Sequence, residues 1–99
     1  MLLIVGTVRL PPEMLEEARY AMQEMIEASQ EEEGCIAYSY AADVLEPGLI
    51  RVAEAWHTRE ALDAHLESEH LLEWRANWER LGIHDRDLQL FTVSGAEPI

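Results

Sequence analysis

The chain has 99 residues, 20 of them acidic and 7 basic, which gives a formal net charge of −13 at pH 7. Affinity for the phosphate backbone of DNA or RNA draws mainly on Lys and Arg, so this balance argues against a nucleic-acid partner. With 48% apolar and 27% charged residues the composition is that of a folded chain, and the length corresponds to one domain, expected to span residues 1–99. A domain this small leaves much of its surface wet and often gains from a partner subunit. No apolar run approaches the roughly 20 residues that span a bilayer, and the segment Met1 to Gly6 is short and lacks a basic flank for a secretory signal. The lone Cys35 has no intramolecular disulfide partner, so no membrane association and a cytoplasmic location are expected.

Residues 2 to 10 mix aliphatic and β-branched side chains and stop at Pro11 and Pro12, which predicts a first strand buried on both faces over its first half. Pro12 suits an early helical position, and Leu15, Ala18, Met22, Met25 and Ile26 recur at helical spacing, so a helix follows to about Glu32. The run Glu31 to Glu33 falls at the carboxyl end, where the helix dipole disfavours negative charge. Fraying is expected there, with Gly34 ending the helix. From Cys35 to Ala42 a strand carries Ile36, Tyr38 and Tyr40 on one side and small residues on the other. Glu46-Pro47-Gly48 reads as a hairpin connection to a strand from Leu49 to about His57, with Ile50, Val52, Glu54 and Trp56 on one face. Thr58 is placed to cap a helix whose apolar face holds Ala61, Leu62, His65 and Leu66. Around Ser68 to His70 the path bends. A second helical segment carries Leu71, Trp74, Trp78 and Leu81 to Gly82, and a last strand alternates from Leu88 to Ser94. The order β-α-β-β-α-β predicts an α+β, ferredoxin-like fold: an antiparallel four-stranded sheet with its helices on one face. The other face then needs a cover, for which a second subunit is the simplest source.

The stretch from Glu54 to His70 concentrates the candidate chemistry. Glu54 shares its face with aliphatics and a tryptophan, where desolvation raises a carboxyl pKa. His65 lies on an apolar helical stripe, and it is either a hydrogen-bonded packing residue or a general acid/base facing a cleft, with Glu54 as its partner. The four histidines (His57, His65, His70 and His84) show no HxxxH or HxH spacing. His65 and Glu69 make only two ligands, so no metal site is expected. Cys35 sits beside an acidic helix end, which disfavours a thiolate. Trp56, Trp74 and Trp78 are either core or, with tyrosines such as Tyr38, the walls of a flat pocket for an aromatic or quinone-like ligand. Arg75 and Asn77 are expected to be solvated, with facing the cleft as the lesser alternative.

The segments E-E-G-C-I-A-Y-S-Y and V-A-E-A-W-H-T-R-E-A-L-D-A-H-L-E-S-E-H resemble the antibiotic biosynthesis monooxygenase family of small dimeric α+β barrel proteins. The resemblance runs from the first strand to the last. Its most recognisable elements fall on Gly34, Cys35, Tyr38, Glu54, Trp56, Ala61, Leu62, His65, Leu66, Ser68 and His70. It implies a homodimer whose two sheets join into a barrel, with a cleft between sheet and helices in each subunit. Some members are cofactor-independent oxygenases of phenols or quinols; others isomerise small phosphorylated carbonyl compounds or degrade haem. The haem branch places an asparagine on the first strand and a histidine ligand near the position of Arg75, and neither is present here. No cofactor is therefore expected. The isomerase branch shares Glu54 and His65, and the scarcity of basic residues tilts the reading toward an uncharged aromatic substrate. The function expected from these observations is oxidation of a small phenol or quinol by dioxygen, with His65 and Glu54 catalytic and Tyr38, Trp56, His70, Trp74 and Trp78 holding the substrate. The alternatives are an isomerase and a ligand-binding barrel without catalysis.

Overall fold

A computed structural model describes residues 1–99. Strand β1 (Leu2–Arg9) leads through a 3₁₀ turn at Pro12–Met14 into helix α1 (Leu15–Gln30). A hairpin follows, β2 (Cys35–Ala42) and β3 (Leu49–Trp56), then three consecutive helices, α2 (Arg59–Leu66), α3 (Glu69–Ala76) and α4 (Trp78–Leu81), and strand β4 (His84–Thr92). The four strands form one antiparallel sheet in the order β2-β3-β1-β4. The fold is therefore α+β and ferredoxin-like.

The register explains which side chains meet the helices. Ile4 lies opposite Glu54 and Leu90, and Tyr38 pairs with Glu54 on the far side of β3, so alternate residues of all four strands share one face. On β3 that face carries Ile50, Val52, Glu54 and Trp56, all buried. Helix α1 answers with Ala18, Met22 and Met25, at the three- and four-residue steps expected of a stripe facing the sheet. Trp56, Leu62, Leu71, Trp74 and Leu81 complete one continuous core.

The opposite face carries no helix. Val5 and Phe91 are each 46% exposed there, which corrects the expectation that β1 is buried on both sides within one subunit. Two other boundaries differ from expectation. Strand β4 begins at His84 rather than Leu88, because it pairs with β1 as far as Arg9, past a register shift between Thr7 and Arg9. The polar His84 to Asp87 run conceals it, since both sides of this edge segment are exposed. In β2 the register shifts between Cys35 and Ala37. Cys35 packs on the core while Ile36 is left exposed, reversing the alternation expected at the strand start.

The broken helical segment has a local cause. Thr58 Oγ1 accepts from the Ala61 amide at 3.1 Å, capping α2 as its sequence position suggests. Ser68 does more: its hydroxyl donates to the His65 carbonyl at 2.7 Å and accepts from the Leu71 amide at 3.3 Å. One side chain thus closes α2 and opens α3, fixing the bend between them. Gly82, in the left-handed region at φ 75°, ends α4.

Candidate active site

The helices cover the β2-β3 side of the sheet more fully than the β1-β4 side. Between the sheet and α2 to α4 lies a cavity of about 180 Å³, whose walls include Ile4 of β1, Tyr38 and Tyr40 of β2, Glu54 of β3, Leu62 and His65 of α2, Arg75 of α3, Trp78 of α4 and Leu88 of β4. A larger hollow of about 370 Å³ separates α1 from β2, but it contains no histidine and no buried carboxylate, so the candidate residues gather at the smaller one.

Two acidic groups frame His65, whose side chain is 1% exposed. Its Nδ1 lies 2.5 Å from Glu32 Oε2, and the same oxygen lies 2.9 Å from His70 Nε2. A carboxylate oxygen only accepts, so both imidazoles donate to it. Nδ1 of His65 therefore carries the proton, and Nε2 presents a free lone pair. That lone pair faces Glu54, whose Oε1 is 4.0 Å away, beyond hydrogen-bond reach. Glu54 is itself held by the indole N–H of Trp56, donated to Oε1 at 3.1 Å. The Trp56 ring lies against His65, with centroids 4.7 Å apart, and Tyr38 meets the imidazole edge-on at 5.1 Å.

Burial sets the protonation of both groups. Desolvation lowers the His65 pKa below its usual 6.5, and the hydrogen bond that His65 donates to Glu32 only partly opposes this. Desolvation raises the Glu54 pKa above 4.5, opposed by the Trp56 indole and by the charge of Arg75. The histidine is therefore unprotonated near neutrality, and the carboxyl holds its proton to a higher pH than an exposed glutamate does. Burial also raises the Tyr38 pKa, keeping that phenol protonated. The site combines an imidazole with an open lone pair and a carboxyl of raised pKa in one largely apolar cavity.

Glu32 is the residue that sequence reasoning missed. It lies in the turn after α1, within the acidic run taken as a fraying helix end. Gly34 brings that turn against α2: it has φ 84°, and a Cβ built on it would lie 2.5 Å from Ala61 Cβ. A side chain at 34 would push the turn, and Glu32 with it, away from His65. The only signal available was an unfavourable charge retained at a helix carboxyl end.

The expected substrate-binding residues divide. Tyr38 and Trp78 line the cavity with His65 and Glu54. Trp56 does not: it is fully buried behind His65 and serves Glu54. Trp74 is buried against Tyr40 and Trp78, because its position on α3 turns it into the core between α1 and the sheet. His70 lies outside the cavity wall and serves Glu32 instead. Arg75, expected in solvent, lines the cavity, and its Nε is buried without a partner. Glu32 also supplies the third group that the metal argument lacked. Donor atoms of Glu32, His65 and His70 lie within 4.8 Å of one another, and the two hydrogen bonds to Glu32 Oε2 account for that convergence.

Comparison with known proteins bears on this site. The family model described as antibiotic biosynthesis monooxygenase matches residues 1–77. The chain belongs to the antibiotic biosynthesis monooxygenase family. The match takes in Glu32, Glu54, His65, His70 and Arg75 and stops before α4 and β4. An uncharacterized protein of Synechocystis sp. is 33% identical over 98 residues, covering 99% of this chain and 67% of its own length. Among solved structures, a Deinococcus radiodurans protein provisionally assigned as an antibiotic biosynthesis monooxygenase superposes with a TM-score of 0.92 at 22% identity, over 100% of this chain and 98% of its own. A conserved protein from Methanosarcina mazei reaches 0.83 at 23% identity, over 91% and 89% of the two chains. These likenesses extend the shared fold of the family through β4. No helix is long and apolar enough to cross a membrane.

Proposed function

We propose that this member of the antibiotic biosynthesis monooxygenase family oxidises a small phenol or quinol with dioxygen, without a dedicated redox cofactor. The observation that carries the reading is the His65 imidazole, held by Glu32 at Nδ1 and free at Nε2 inside a cavity walled by Tyr38, Leu62 and Trp78. In this reading Nε2 accepts the phenolic proton, which raises electron density on the ring and eases electron transfer to dioxygen. One oxygen atom enters a ring carbon as a carbonyl, and the other leaves as water with the two protons released from that carbon and from the hydroxyl. A phenol and one dioxygen thus give a quinone and one water, the substrate supplying all four electrons. Glu54, whose pKa burial raises, donates a hydrogen bond in its protonated form to the oxygen on which charge develops. Tyr38 and Trp78 bound the ring, and Trp56 fixes Glu54.

The test is oxygen uptake against a panel of phenols and quinols, with anaerobic controls, for the wild type and His65→Ala. A general base of this kind contributes roughly 10²–10⁴-fold, and a loss in that range is expected. Unchanged uptake in the variant would remove His65 from the mechanism.

Two titratable groups 4.0 Å apart also support a second reading, isomerisation of a small carbonyl compound by proton transfer between adjacent carbons. Solvent deuterium appearing in recovered substrate without oxygen uptake would favour it. We also propose that the open sheet face is covered by a second copy of the chain. Val5 and Phe91 stand exposed there, in register through β1 and β4 with Leu3 and flanked on β3 by Ala53 and Ala55. Light scattering on the purified chain reads this directly, and a monomer at micromolar concentration would contradict it.

A further inference from the structure

All 7 basic residues of the chain are arginines, set among 20 acids. Five of them are neutralised by neighbours at 2.8–3.1 Å: Arg9 by Glu46, Arg19 by Glu16, Arg51 by Asp43, Arg59 by Asp63 and Arg80 by Glu17. Arg75 and Arg86 have no acid within ion-pair distance. In so acidic a chain an unpaired arginine is the exception, and both exceptions line the cavity that holds His65. They reach it from different elements, Arg75 half-buried on α3 and Arg86 exposed on β4.

The same walls hold three buried polar atoms without partners: Arg75 Nε, the Tyr38 hydroxyl and the Trp78 indole nitrogen. A guanidinium and an indole only donate, and the phenol is free to donate as well. Buried donors without acceptors are costly. Glu54, the carboxyl that shares the cavity, accepts from Trp56 and makes no ion pair with Arg75. What satisfies this set is a ligand rich in acceptor oxygens and negatively charged, and a guanidinium fork matches a carboxylate. At about 180 Å³ the cavity is also smaller than the roughly 300–1,000 Å³ of sites for drug-sized ligands. One aromatic ring fits that limit better than several.

We infer that the ligand of this cavity is a single-ring phenol or quinol bearing a carboxylate, with Arg75 and Arg86 holding the carboxylate. This rests on the proposed phenol chemistry for where the hydroxyl goes, against His65 Nε2, but the charge preference stands on the arginines alone. It replaces the uncharged substrate expected from the small number of basic residues, because two of the few are gathered at one site.

The experiment is equilibrium binding by titration calorimetry on the full chain, under anaerobic conditions, with 4-hydroxybenzoate, phenol and inorganic phosphate as probes. Charge-assisted hydrogen bonds of this kind favour 4-hydroxybenzoate over phenol by roughly tenfold or more. Arg75→Gln and Arg86→Gln should each remove most of that preference. Arg86 is at an exposed strand position, so Arg86→Gln tests the inference even where Arg75→Gln lowers the melting temperature. Equal binding of phenol and 4-hydroxybenzoate, binding of neither, or a preference retained in the double variant would overturn it. So would phosphate binding as tightly as 4-hydroxybenzoate, which would assign the arginines to a phosphate group. Oxygen uptake on the same probes separates this inference from the reading beneath it. A carboxylate preference without uptake overturns the oxygenase and leaves the arginine site standing; uptake on phenol without any preference does the reverse.

Discussion

Replacing Glu32 by Gln removes the charge that holds both His65 and His70 while keeping the side chain's length. The His65 Nδ1 to Glu32 Oε2 contact joins groups that are 1% and 17% exposed, so solvent screens it little. A hydrogen bond to a charged group in such surroundings contributes about 1.5–3 kcal/mol. If that energy keeps the imidazole in the tautomer with a free Nε2, its loss lowers kcat/KM by roughly 10- to 100-fold. The pH profile moves as well. In the proposed mechanism activity requires unprotonated His65, so the acid limb of kcat/KM follows the His65 pKa, which burial already holds below 6.5 and the Glu32 bond partly restores. Without the carboxylate that pKa falls further, and the acid limb of Glu32→Gln shifts to lower pH even as the plateau drops. A merely structural role for Glu32 would lower stability without moving the limb. Steady-state oxygen uptake from pH 4 to 9 reads both effects, and an unchanged limb with an unchanged plateau would refute the proposed orientation of His65.

Three further outcomes follow from the same geometry. Folding raises the Glu54 pKa above 4.5, so the stability associated with that group is complete below pH 4.5 and declines as pH rises through the raised value. Glu54→Gln still accepts from the Trp56 indole and does not ionise, so its melting temperature should exceed that of wild type by a margin that widens from pH 4.5 upward; parallel melting curves would contradict the burial argument. Gly34→Ala must adopt φ 84° and meet Ala61 Cβ at 2.5 Å, which costs about 2 kcal/mol or more and lowers the melting temperature by roughly 8–16 °C. An unperturbed thermal scan would show that the turn does not press on α2. Val5→Asp, on the uncovered sheet face, should convert the proposed dimer to monomer in light scattering, whereas a dimer that survives it would place the interface elsewhere.

Much of the fold was legible because its signals are local. Alternation places β2 at Cys35–Ala42, Thr58 caps α2 where its hydroxyl suggests, and Gly82 ends α4 with positive φ, whereas α1 stops at Gln30 and Gly34 shapes the turn beyond it. Strand β4 was only half visible, since its first residues are exposed on both sides and nothing in their pattern distinguishes them from a loop. The site was legible in part for the same reason. Glu54 and His65 stand out as polar residues on apolar faces, and both face one cavity. Glu32 is 33 residues from His65 and 38 from His70 in the chain, and only the packing of the α1-β2 turn against α2 brings the three together. Arg75 was obscured by its helix, which buries Leu71 and Trp74 but shows no sharp division of faces from which the direction of an arginine can be read. Trp56 and Trp74 were assigned to the pocket by residue type. Both lie in the core instead, Trp56 holding Glu54 through its indole N–H and Trp74 packed against Tyr40 and Trp78.

The central claim is that His65 is neutral near pH 7, protonated at Nδ1 toward Glu32 and open at Nε2. Nitrogen-15 NMR of the imidazole side chains reads this without any substrate. The account predicts a pyrrole-type signal for His65 Nδ1 and a pyridine-type signal for Nε2 at pH 7, persisting as the pH is lowered past 6.5, the usual histidine value. A His65 protonated at both nitrogens at pH 7, or one carrying its proton on Nε2, would contradict it.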